Sequence, residues 1–294
     1  MLINYIHPVY SGIMIALFWI VGIPYVISQT LEPITIASLY SKQYVDKKPI
    51  PYVEIREANV MWLKRVWRDV DMRQIQNLPF YFPIVKKEYR VSFAQLLIES
   101  VQNKFIIAYS AIDSSSNGSG DWDDTFQLPL NVKEAKRALS YKENVIVEDD
   151  FGDEVVVEQI MTISLDEITS FRIKEEVFFD KERSIMETRI LGIALLIPDK
   201  ASGREDIKKE AFWIYFPQAR NVLARMLSYN TFNDANVLTY DEIFVKRKFS
   251  SRITKISNVY DRSLDSYLAP MDALIMAEKL EQEIFQSEND LWSF

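Results

Sequence analysis

The chain has 294 residues, 48% hydrophobic and 26% charged, with a formal net charge of −8. That composition describes a folded chain with a sizeable core, and the acidic balance disfavours general binding of nucleic acid. There is no cysteine, and the one histidine is His7, so disulfides and thiolate metal sites are excluded.

The first 28 residues contain no Lys, Arg, Asp or Glu, and Ile13 to Ile23 is wholly apolar apart from Gly22. This reads as a signal peptide, cleaved after Ser28, or else an N-terminal anchor. Either way the chain is expected to be exported. Cleavage would also remove His7, leaving no imidazole. Residues 29–55 carry Pro33, Pro49 and Pro51 without clear periodicity, which predicts an extended arm. A single globular domain is expected over residues 56–294.

In residues 57–76, Val60, Leu63, Val66, Trp67 and Val70 recur at spacings of three and four, predicting an amphipathic helix with Lys64, Arg65, Arg68 and Asp69 outside. Phe80-Tyr81-Phe82-Pro83 follows as an extended aromatic segment. Ser92 and Gln95 open a helix over 93–102, and residues 105–109 read as a strand. After a Ser/Gly/Asp-rich loop, Asn131 and Glu134 start a helix to about Leu139. Two hairpins are expected, one pairing 144–148 with 154–158 and one pairing 171–179 with 184–197. Residues 212–216 read as a strand, Pro217 begins a helix through Met226, and Thr239 with Glu242 caps a helix through Lys248. A last helix starts near Pro270, with Met271, Leu274, Leu280 and Ile284 as its apolar face. Antiparallel hairpins forming a mixed sheet, packed with several helices, define an α+β class.

Without His and Cys in the mature chain there is no imidazole base, no thiolate nucleophile and no zinc shell of those ligands. No G-x-G-x-x-G or P-loop pattern occurs. Carboxylate chemistry survives the exclusions, so an exported hydrolase acting on cell-wall glycan is the alternative to a binding protein. Asp113, Ser115, Asn117, Gly118, Asp121 and Asp124 fall at ligand positions of an EF-hand-like loop, although the last position has Asp where the longer Glu is favoured. No metal, cofactor or catalytic residue is assigned. Arg65, Arg68, Phe80, Tyr81 and Trp292 are the candidate partner-contact residues, because aromatics and Arg dominate interface hot spots.

Residues 56–71 (REANVMWLKRVWRDVD), followed by Asn77-Leu-Pro-Phe-Tyr-Phe-Pro83, resemble the opening of the GldN/PorN proteins of gliding motility and type IX secretion. Four further segments agree in order: 171–180, 213–220, a discontinuous run between 241 and 262, and 283–292. The resemblance implies a non-enzymatic periplasmic protein that forms a ring with an outer-membrane lipoprotein, GldK/PorK, and is associated with the outer membrane through it. It further implies that the ring engages the periplasmic part of the inner-membrane GldL–GldM (PorL–PorM) motor. It supplies no catalytic residues.

Overall fold

The computed structural model describes residues 47–86, 90–111, 124–148, 154–200, 207–229 and 238–292. The expected leader, the arm up to residue 46 and most of the calcium-like loop lie outside them. Residues 47–56 run without helix or strand.

Seven strands form one sheet in the order β3-β2-β8-β7-β6-β1-β9. They are β1 Val60–Asp71, β2 Ala108–Tyr109, β3 Pro129–Leu130, β6 Ser170–Asp180, β7 Ile185–Pro198, β8 Lys208–Tyr215 and β9 Arg252–Ile256. Every neighbouring pair is antiparallel. Strands β4 Ser140–Glu148 and β5 Glu154–Thr162 make a separate two-stranded ribbon. Among the described residues six helices accompany them: α1 Leu78–Tyr81, α2 Phe93–Gln102, α3 Val132–Ala138, α4 Phe216–Leu223, α5 Tyr240–Val245 and α6 Pro270–Trp292. The α+β class expected from the sequence is what the chain adopts.

The amphipathic helix expected over 57–76 is instead a 3-10 turn followed by β1. Strand alternation puts Val66, Arg68 and Val70 on one face and Trp67 and Asp69 on the other. The centre of β1 is buried on both faces: Val66 and Val70 pack into two apolar clusters on one side and Trp67 into a third on the other, while β6 and β9 pair its edges. The residues expected to be extended after Leu78 form the single turn α1, which drives Phe80 into the interior.

Local signals hold where caps define them. The Ser92 hydroxyl accepts from the Gln95 N–H, and Asn131 with Glu134 and Thr239 with Glu242 form reciprocal capping boxes. The long hairpin β6–β7 forms where it was expected, with Asp180 opposite Ile185 next to its turn. Strand β2 is shorter than expected, at two residues.

Three clusters make the interior. The largest lies under α2, α4 and α5, where the rings of Phe80, Phe93, Phe171, Tyr240 and Phe244 meet at centroid distances of 4.8–6.1 Å. A second lies under α6. Ala273 and Ala277 are its buried helix residues, with Met276, Leu280 and Ile284 partly buried, whereas Met271 and Leu274 point outward. The helix is rotated from the expected face because alanines let its backbone approach the sheet. On the other face Trp67, Ala194 and Trp213 pack with Phe126, which lies over Gly192 so closely that a Cβ there would stand 2.3 Å from its Cζ.

Candidate interaction surface

The five candidate contact residues do not form one patch. Phe80 is 0% exposed and belongs to the core. Arg68 is 6% exposed, facing inward between two apolar clusters. Arg65 lies on the surface, its Nε 2.9 Å from Glu176. Tyr81 is half-buried and its hydroxyl donates to the Asp166 carbonyl at 3.3 Å. Trp292 is the last residue of α6. Of the candidates whose side chains are described, Arg65 is exposed and Tyr81 half-buried, while the periodicity that made Arg68 look solvent-facing belonged to a strand.

Most of the buried charge is committed to structure. Glu175 of β6 has no exposed side-chain surface; it accepts from Arg68 Nε at 2.5 Å and from Arg247 Nη1 at 2.8 Å. Arg68 reaches on to Glu281 of α6 at 2.8 Å. Burial opposes the Arg68 charge, but Glu175 and Glu281 outweigh it and hold the guanidinium above its ordinary pKa. On the opposite face Arg172 bridges Asp69, at 2.6 and 2.9 Å, and Glu210, at 2.7 Å. The nearby acids Asp69 and Glu210 thus share one arginine. A third pair, Arg220 with Asp241 at 2.7 and 3.1 Å, joins α4 to α5. Tyr52 lies against both Arg220 and Arg189, at 4.4 and 5.0 Å from the ring, and so fastens the residues preceding β1.

Asp124, at the last ligand position of the calcium-like loop, is described. It accepts from Trp67 Nε1 at 2.6 Å, and its carboxylate lies 3.0 Å from Lys174 Nζ. The other proposed ligands lie outside the described residues. Among the described residues no group of three or more acidic side chains could hold a metal, and no helix is long and apolar enough to cross a membrane.

Burial pushes the Glu210 carboxyl above its ordinary range, and Arg172 and Trp213 only partly offset it. A carboxyl with a raised folded-state pKa binds its proton more tightly when folded, so its contribution favours folding on acidification. That gain accrues between the raised value and the unfolded value near 4.5. Glu210→Gln should remove this component. Urea unfolding at about pH 7 and about pH 5 checks it, with the wild-type minus variant difference shifting toward the wild type at the lower pH.

Several large apolar and aromatic side chains also reach the surface. Phe82, Ile84 and Val85 are exposed after α1, as are Val259 and Tyr260 after β9 and Met271, Leu274, Ile275 and Phe285 on α6. Scattered exposed apolar residues are ordinary, but several on one long helix mark a surface suited to other proteins.

The fold is that of an antiparallel α+β sheet protein whose buried charges are tied into ion pairs, with Met271, Leu274, Ile275 and Phe285 exposed on its longest helix. The family model described as gliding motility associated protein GldN matches residues 55–293. The chain belongs to the GldN family, a component of the gliding motility and type IX secretion machinery and not a known enzyme family. No curated protein matches the chain.

Proposed function

We propose that this chain is a non-enzymatic periplasmic subunit of that machinery. It assembles with a GldK/PorK-like outer-membrane lipoprotein into a ring that engages a GldM/PorM-like motor protein, and it takes the place of a structural coupler. Family membership over residues 55–293 is the observation that carries this reading. The arrangement of charge supports it: buried Glu175 and Asp241 and half-buried Asp69 and Glu210 each face an arginine, so these acids act as ties between elements.

Co-purification from an envelope fraction tests the reading, with mass spectrometry to identify partners and particle imaging to detect a ring. Recovery with the lipoprotein and the motor protein is the expected result. A chain recovered alone from its native envelope would overturn it. Deleting residues 29–46 keeps the Tyr52 clasp on Arg189 and Arg220, so the variant should unfold at the wild-type urea concentration. It should nevertheless fail to assemble with the lipoprotein, as an arm crossing to a neighbour would require. Normal assembly of the shortened chain would remove the arm from the account.

A further inference from the structure

The residues just before β1 are fastened by a side chain and not by the sheet. Among the described residues, 48–55 take part in no backbone-to-backbone hydrogen bond, and of these eight only Pro49, Tyr52 and Ile55 are half-buried. Ile50 is 75% exposed and Val53 59%. The Tyr52 phenol lies against two guanidiniums, Arg220 at 4.4 Å and Arg189 at 5.0 Å, and Arg189 Nη2 donates to the Val53 carbonyl at 2.6 Å. Planar guanidiniums stack on aromatic faces, so this clasp selects an aromatic side chain followed by an extended backbone.

The receiving side is held without help from the segment. Arg220 of α4 is buried and donates to Asp241 of α5 at 2.7 and 3.1 Å. Arg189 of β7 donates to Glu187 at 3.0 Å and lies 5.5 Å from the Phe178 ring of β6. Pro49 and Pro51 keep the entering segment extended, which lowers the cost of ordering it. A preformed site and a stiffened peptide are what recognition of an extended segment needs.

Both halves of this contact need not come from one molecule. Residues 53–56 join Tyr52 to the 3-10 turn Glu57–Asn59 and reach about 17 Å when extended. Release of the segment breaks the phenol contacts and one hydrogen bond but unpairs no strand. Exchange of an identical element between copies re-forms the same contacts at low cost. A copy that gives Tyr52 to one neighbour and receives it from another makes heterologous, head-to-tail contacts, which close into a ring when the rotation permits.

We infer that the Arg189–Arg220 clasp is a binding site for the Tyr52 segment and that, in the assembled protein, a neighbouring copy supplies that segment. This rests on the reading of the chain as a ring-forming subunit, since an arm crossing to a neighbour carries residues 48–55 with it. Sedimentation velocity on the full chain tests it. Tyr52→Ala keeps the clasp and loses the phenol, whereas Arg189→Leu loses the clasp and keeps the phenol. Each should raise the Kd of self-association about tenfold, while Tyr52→Phe should stay within about threefold of wild type. Mixed at a concentration where neither associates alone, the two defective chains should form pairs and nothing larger, because one intact joint remains between them. A synthetic peptide of residues 48–55, at about millimolar concentration, should dissociate wild-type assemblies, and its Tyr52→Ala counterpart should not. Unchanged association of both variants, no pairing in the mixture, or wild-type assemblies that resist the peptide would each overturn the exchange and leave the ring reading intact. A wild-type chain that stays monomeric with and without the lipoprotein would overturn both.

Discussion

Replacing Phe80 with alanine should destabilise the fold by about 3–5 kcal/mol, read as a fall in the urea midpoint at unchanged slope. Phe80 is wholly buried, with the rings of Phe93, Phe171, Tyr240, Phe244 and Phe249 around it at 5.2–6.4 Å. These neighbours come from four different segments, so the hole cannot be closed by moving any one of them. The Tyr240 hydroxyl also donates to the Val91 carbonyl at 2.8 Å, fixing that ring in place. Phe80→Leu, which retains much of the volume, should cost markedly less. If Phe80→Ala left the midpoint unchanged but lost partner binding, Phe80 would be a contact residue after all.

Truncating Glu175 to alanine should cost about 3 kcal/mol. Removing one member of a buried ion pair strands the other, typically at 3–5 kcal/mol. Two conditions place this site at the lower end: Arg68 keeps Glu281, and Arg247 is partly open to water. The pair variant Glu175→Leu with Arg68→Met should recover most of the loss, because a packed apolar pair avoids the desolvation of both charges. A double-mutant cycle measures the coupling. Additive single effects would show that the two side chains do not depend on each other.

The same ion pairs explain where the sequence could be read and where it could not. Helices announced by Ser92, Asn131 and Thr239 depend on residues three positions apart, and these caps are in place. The β6–β7 hairpin likewise depends on a short turn. Strand β1 does not: its valines happen to satisfy a helical spacing, and its inward charges, Arg68 and Asp69, look like a solvent face. Only Glu175 and Arg172, more than 100 residues later, make that strand tolerable inside. Strand β9 was missed for a similar reason, since its buried Thr254 and Ile253 gain their setting from β1. Of the contact candidates, Arg65 is exposed and Tyr81 half-buried against the core. Phe80 and Arg68 were misplaced, because aromatic and arginine side chains serve interiors and interfaces alike.

The order of strands also bears on how the chain reaches this state. Val66 pairs with Ile256, about 190 residues further on, and β1 meets β6 only after roughly 100 residues have intervened. Synthesis therefore releases β1 long before either companion exists. The β6–β7 hairpin closes locally and quickly, whereas the rung from β1 to β9 must close the longest loop in the sheet. Folding on the millisecond-to-second scale follows from such remote pairing, with β1 bare until β6 arrives and its β9 edge open until the final third of the chain arrives.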